Sequence, residues 1–278
     1  SKDCKQMASL FEQRQIDEIK VFQFLEDTVY QKNDIVHQLD HFFNHEQTMG
    51  IGAFRDDVLI GYLFGYQKSN RSKDSIIVVP YLGLAIHQTD DELLIKMIYQ
   101  EVSKLWLKNG CATHHITTPL GNKTYMNALL HLSFAYDQAY AILDVNDYKQ
   151  FPLNHEIDIK KATVNDQDVL EGMSSIIQSH QHDSPVYGPY HQEVLELFKQ
   201  GYRNLVTDED IIDVWIASYD EKPAGFQVME LSEKGPMTPS DTAELSVQGT
   251  IESFRGLGIG KSLMNQGITD IKTKGYRY

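Results

Sequence analysis

Residues 255–262 read Arg-Gly-Leu-Gly-Ile-Gly-Lys-Ser, three glycines and two cations in a short stretch of a 278-residue chain. Glycines at that density let consecutive backbone N–H groups converge without Cβ atoms in the way. A helix starting there adds its unpaired first-turn amides and the positive end of its dipole, which together hold a phosphate or diphosphate. Arg255 and Lys261 place charge at the rim. The competing explanation is a tight strand-to-helix turn that uses glycine only for backbone freedom. Spacing excludes two familiar nucleotide loops. Gly-x-x-x-x-Gly-Lys-Ser/Thr ending at Ser262 needs glycine at 255, where Arg255 stands, and Gly-x-Gly-x-x-Gly needs a third glycine where Lys261 or Leu263 stands.

Such a loop needs a strand to deliver it and a helix to follow it, and AELSVQGTI and KSLMNQGITDIKTKG supply them. Upstream, GIGAFRDDVLIGYLFGYQ and VWIASYDEKPAGFQVMEL each read as an alternating strand, a polar turn and a second strand. They align without a gap: Ala53 matches Ala217 and Gly61 matches Gly225, both at an offset of 164 (217 − 53 and 225 − 61), which suggests a duplicated module. Two helical stretches precede each hairpin, IDEIKVFQFLEDTVY and DIVHQLDHFFNH in the first copy, DVLEGMSSIIQSH and HQEVLELFKQGY in the second. After the first hairpin come an apolar strand SIIVVPYLGLAI and a capping box Thr89-Asp90-Asp91-Glu92. These lead into a helix with Leu94, Ile98 and Val102 on one face, stopped by Gly110. A strand ATHHITT, a short helix KTYMNALLHL and a final strand AYAILDV complete that copy. The polar DYKQFPLNHE, residues 147–156, reads as the joint before the strand IDIKKAT. The expectation is an α+β chain of two domains, 1–150 and 155–278, the second lacking the C-terminal strand, helix and strand of the first.

The segment AELSVQGTIESFRGLGIGKSLMN resembles motif A of the GNAT superfamily of N-acetyltransferases, and the order of elements in both copies is similar to that fold. The resemblance implies two tandem GNAT-like domains, each a mixed, mostly antiparallel sheet flanked by helices. It implies acetyl-CoA or another acyl-CoA as cofactor, with the diphosphate on residues 255–261: Arg255, Gly256, Leu257, Gly258, Ile259, Gly260 and Lys261. The pantetheine arm then pairs with Gln248, Gly249 and Thr250, where an N–H stabilises the oxyanion of the acyl carbonyl. Transfer to an amine requires a base to remove the ammonium proton. Glu244, eleven positions before Arg255 (255 − 244), is similar in placement to the glutamate base of histone-acetyltransferase-like members; Glu252 is the weaker candidate. In the family the proton donor to the leaving thiolate lies on a later helix, so Tyr276 and Tyr278 come too early for it. The acceptor-recognition segment of the family falls on HQHDSPVYGPYHQ, which offers His182, Asp183, Tyr187 and Tyr190 to a cation. The implied activity is transfer of an acetyl group to a primary amine of a small molecule or peptide; the alternative is a non-catalytic acyl-CoA-binding regulatory module.

The first copy departs from that pattern. Its corresponding stretch, VVPYLGLAIHQTDDELL, has only Gly83 nearby and two acids at the helix start, which favour a helix but repel a diphosphate. Leu129 stands where the family often has a tyrosine proton donor, and Ser133 replaces a usual glycine. This copy is expected to be degenerate, retained for packing or for walling the substrate site.

A formal net charge of −14 and a pI near 5.1 argue against a nucleic-acid or anionic-lipid partner and mildly favour a cationic substrate, although solubility alone explains an acidic surface. No apolar run long enough for a membrane span occurs, and SKDCKQMASL lacks the apolar stretch of a secretory signal, so the cytoplasm is the expected address. Cys4 and Cys111 have no metal-ligand spacing and fit a reducing compartment. His180 and His182 lack a third spaced ligand, and His114-His115 on a strand face opposite ways, so no metal is expected.

Overall fold

The computed structural model describes residues 2–23, 31–44, 47–69, 75–89, 91–183, 192–208 and 211–278. It divides into two units, Ser1–Tyr140 with Lys234–Pro239, and Ala141–Glu233 with Ser240–Tyr278. The stretch 147–156, read from sequence as the joint, lies inside the second unit.

In the first unit, α1 (Lys2–Ile19) and α2 (Lys32–Asn44) precede a hairpin of β1 (Thr48–Arg55) and β2 (Val58–Ser69). Strands β3 (Ser75–Val79) and β4 (Leu84–Ile86) both pair antiparallel with β2, and β5 (Thr113–Ile116) runs parallel to β3. Pro80 has no N–H for a ladder, and a single 3₁₀ turn from Tyr81 to Gly83 separates β3 from β4. Helices α3 (Glu92–Lys108) and α4 (Lys123–His131) complete the unit. Alternation along β2 sends Tyr62 and Phe64 into one cluster with Phe11 and Leu39, and Leu63 into another with Ile95, Val102 and Trp106.

Three local expectations are corrected. The first helix lies earlier than IDEIKVFQFLEDTVY: it ends at Ile19, and residues 24–30 of that stretch lie outside the described residues. Its buried stripe of Cys4, Met7, Ala8 and Phe11 is interleaved with charged residues, which weakens the periodic signal. The capping box gives way to Asp91 as N-cap, its carboxylate accepting from Leu93 N–H at 2.9 Å, while the Thr89 hydroxyl bonds the His87 ring at 2.9 Å. AYAILDV forms no strand: it makes no ladder with β5, and Val145 N–H instead donates to the Arg277 carbonyl at 2.9 Å within the second unit.

A buried ionic cluster ties α1 to the strand beyond Pro80. The Arg14 guanidinium donates to the carbonyls of Tyr81, at 2.7 Å, and Leu84, and pairs with Glu18 at 2.8 Å. It also lies over the Phe11 and Tyr81 rings, 4.7 and 4.3 Å from their centroids. Burial pushes the Glu18 carboxyl up to about 6 despite the opposing pull of Arg14. Beside this cluster the Tyr125 hydroxyl accepts from Ile86 N–H at 2.9 Å.

In the second unit, β6 (Ile157–Lys161), β7 (Ile211–Tyr219), β8 (Lys222–Ser232) and β9 (Thr242–Thr250) form an antiparallel sheet in chain order. One face packs through Phe226 and Val228 on α5 (Gln167–Gly172), α6 (Ile176–His182) and α7 (Gln192–Asn204); the other packs through Trp215, Ala217 and Met229 on α8 (Ile259–Thr273). DVLEGMSSIIQSH is thus two helices rather than one, since Gly172 and the serines beyond it are weak helix formers.

The hairpins of the two units correspond in geometry as well as in sequence. Each ladder slips at the matching place, after Ala53 and after Ala217. The turn residues Asp56 and Asp57 have φ of 49° and 59°, and Asp220 and Glu221 have 50° and 60°, positive at both central positions as a type I′ turn demands. Partners Leu63↔Leu84 and Gly61↔Ile86 recur 164 positions later as Gln227↔Gln248 and Gly225↔Thr250. No helix among the described residues is long and apolar enough to cross a membrane.

Candidate functional site

The glycine loop leaves β9 at Thr250. Ile251 N–H donates to the Ala224 carbonyl at 2.9 Å, a short turn covers Glu252 to Phe254, and Arg255 N–H closes it on the Glu252 carbonyl at 3.1 Å. Gly256 and Gly258 then take φ of +84° and +94°, left-handed values that a side chain would strain. A Cβ at either position meets nothing within 4 Å, so backbone conformation, not space, requires glycine there. Gly258 caps α8 without any side-chain bond, and the first helical bond runs from Ser262 N–H to Gly258 C=O at 3.0 Å. Among the described residues, the N–H groups of residues 256–261 therefore have no protein acceptor. Two left-handed glycines ahead of an uncapped helix N-terminus, with their N–H groups free, suit an anion. Arg255 and Lys261 are exposed at its edge, with the Lys261 ammonium 5.4 Å from the Phe151 ring centroid.

The matching turn of the first unit differs in length and in its helix cap. It runs from Ile86 to Glu92, three positions shorter than Thr250 to Ile259 (9 against 6). The Asp91 carboxylate already caps α3 and sits where an anion would bind.

Strand β9 pairs with β8 on one side. Between Met229↔Leu245 and Val228↔Val247 its ladder slips, leaving Ser246 as an extra residue, the kind of bulge that re-aims side chains next to functional sites. Glu244 is exposed on this strand and stands opposite Glu230, on the sheet face that carries α5 to α7. Gln248 donates to the Gln227 side-chain oxygen at 2.7 Å and to the Gly260 carbonyl at 3.1 Å, fixing the first turn of α8 against the sheet. Gly249 lies under α6: a Cβ there would stand 3.3 Å from Ile176 and 2.7 Å from the Phe226 ring.

Of the residues suggested for an acceptor, His182 ends α6 and Asp183 follows it, both exposed; Tyr187 and Tyr190 lie outside the described residues. The Tyr278 carbonyl accepts from Ala243 N–H at 2.8 Å, and Tyr276 N–H donates to Ile271, so both tyrosines are built into the frame of the second unit. The His114 ring bonds the Tyr99 hydroxyl at 2.9 Å and the Cys111 carbonyl at 3.1 Å, and burial lowers its pKa. His115 lies 3.3 Å from the Asp137 carboxylate. Sequence reasoning missed Ser246 and Glu230, since a bulge and a cross-strand neighbour follow from ladder register, which one strand's residues do not display.

Residues 174–278 match the model of the acetyltransferase (GNAT) family. Most of the matched stretch lies in the second unit, with Lys234–Pro239 in the first. The chain is similar to PaiA N-acetyltransferase from Thermoplasma acidophilum in complex with coenzyme A, at 21% identity and a TM-score of 0.35 over 43% of this chain and 74% of that one. It is also similar to ribosomal-protein-alanine N-acetyltransferase from Brucella melitensis biovar Abortus 2308, at 19% identity and a TM-score of 0.32 over 44% and 76%. No curated protein matches the chain. The GNAT match begins beyond β6 and α5, so the glycine loop and β9 fall inside it and the segment 141–156 does not.

Proposed function

We propose that the chain is an acyl-CoA-dependent N-acyltransferase that moves an acetyl group from acetyl-CoA to a primary amine of a small molecule or peptide. The observation that carries this reading is the run of N–H groups over residues 256–261 with no protein acceptor among the described residues, at the start of α8 in a GNAT domain. Acetyl-CoA supplies the activated acyl thioester. Those amides, with Arg255 and Lys261, hold its diphosphate. The backbone of Gln248, Gly249 and Thr250 pairs with the pantetheine arm along β9. Glu244 accepts the proton that the acceptor ammonium must lose before its nitrogen can attack. From Glu244 to Thr250 is six residues of strand, about 20 Å at the usual rise, a span that an extended pantetheine arm matches. His182 and Asp183 bind the acceptor in this reading.

The first unit, by the same reading, is a degenerate copy that takes no acyl-CoA. Leu84 and Ile86 correspond to Gln248 and Thr250 at the offset of 164. The Leu84 carbonyl is already bound by Arg14 and the Ile86 N–H by Tyr125, so an incoming arm would have to displace a buried charge cluster.

Thermal stabilisation tests the reading. Acetyl-CoA at about a hundredfold excess over its Kd is expected to stabilise the protein by about 2.7 kcal/mol, more than ATP does, and thiol release is expected to depend on an added primary amine. Stronger stabilisation by ATP contradicts the reading. Acetyl-CoA binding without amine-dependent thiol release across a broad amine panel would instead identify a non-catalytic binding module.

A further inference from the structure

The segment that opens the second unit lies along α8 in the opposite direction. Val145 N–H meets the Arg277 carbonyl beyond the end of the helix, at 2.9 Å. The Asn265 side chain then clamps the strap from both sides: its oxygen accepts from the Tyr148 hydroxyl at 2.8 Å and Phe151 N–H at 3.0 Å, and its amide donates to the Phe151 carbonyl at 2.9 Å. At the far end, Asn154 Nδ2 donates to the Leu257 carbonyl at 3.1 Å. Asn154 itself is held, since its Oδ1 accepts from Glu156 N–H at 3.1 Å and its backbone carbonyl from Ile157 N–H at 3.2 Å, at the start of β6. With an N–H on one side and a carbonyl on the other, the orientation of the Asn154 amide is fixed by its partners.

We infer that Asn154, on a strap outside the part of the chain matched to the GNAT family, is a positioning residue for the diphosphate cradle. In a trans peptide the carbonyl of one residue and the N–H of the next point in opposite directions. Drawing the Leu257 carbonyl toward Asn154 therefore aims the Gly258 N–H away from the strap and toward the anion. Gly258, at φ +94° with an open flank, has no side-chain packing of its own to hold that peptide plane. The tether supplies what packing does not, setting the donor before ligand arrives and reducing the ordering cost of binding. This inference rests on the reading of the loop as a diphosphate site.

Two variants separate the tether from the local turn. Asn154→Ser keeps a neutral oxygen for the Glu156 N–H but is too short to reach the Leu257 carbonyl, whereas Asn154→Ala loses both contacts. In amide-resolved NMR of the full chain without ligand, both variants are expected to shift the Gly258 resonance while Asp270, at the far end of α8, stays in place. In calorimetric titration with CoA both are expected to weaken binding by about fivefold to tenfold, the loss of one hydrogen bond. A Gly258 resonance unmoved by either change, or CoA affinity unchanged in both, overturns the inference. So does weakening in Asn154→Ala alone, which would assign the residue to the turn. Failure of the wild-type protein to bind CoA, with the Gly258 shift still present, overturns the reading of the loop together with this inference, and the Asn154 contact alone remains.

Discussion

Gly258→Glu is expected to weaken CoA binding by on the order of a hundredfold while the protein stays folded. A carboxylate about 6 Å from the nearer phosphate, at an effective dielectric near 20, opposes its single charge by about 3 kcal/mol, which alone is about a hundredfold in affinity. The left-handed backbone at Gly258, φ +94°, adds strain of about 1–2 kcal/mol for any side chain. Steric conflict contributes nothing, since nothing stands within 4 Å of a Cβ there. A carboxylate at a helix N-terminus is otherwise favourable to the helix, as Asp91 at the start of α3 illustrates, so the fold should survive. Calorimetric titration of CoA into Gly258→Glu and Gly258→Ala separates the two contributions. Alanine should lose only the share due to strain, and equal affinities for wild type and Gly258→Glu would remove the loop from the site.

Glu244→Gln is expected to lower kcat by on the order of a hundredfold or more, the usual contribution of a positioned general base, with CoA affinity unchanged. Glu244 stands on the sheet face that carries α6, two residues before the Ser246 bulge and opposite Glu230. Glutamine keeps the size and hydrogen-bonding capacity of the side chain but cannot accept the proton. Activity of the variant should therefore climb with pH as the free amine forms in solution, a recovery that a merely structural defect does not give. Glu230→Gln distinguishes the partners, because it removes the opposing charge and keeps the base. Unchanged amine-dependent thiol release in Glu244→Gln would exclude Glu244 as the base.

The parts legible in the sequence are those set by local chemistry. Glycine at 256 and 258 is demanded by positive φ, and strand, loop and helix follow one another without help from the rest of the chain. The paired hairpins were legible because their turns require left-handed residues at fixed places, Asp56 with Asp57 and Asp220 with Glu221. What escaped depends on groups far apart in sequence. Arg14 precedes the first helix read from the sequence, and only the fold brings it to the carbonyls of Tyr81 and Leu84. Glu230 becomes the neighbour of Glu244 through ladder register, and Ser246 stands out only because the ladder slips there. Asn154 lies in a stretch whose polar composition reads as a linker, yet it reaches a carbonyl 103 positions away. AYAILDV has the alternation of a strand and forms none, because a strand needs a partner edge as well as a pattern.

The most direct measurement is a crystal structure of the wild-type protein with bound CoA. Diphosphate oxygens are expected at about 2.7–3.2 Å from backbone nitrogens between Gly256 and Lys261, with the arm laid along Gln248, Gly249 and Thr250. A ligand lodged elsewhere, with those nitrogens facing only solvent or drawn onto the protein's own carbonyls, would contradict the reading of the loop.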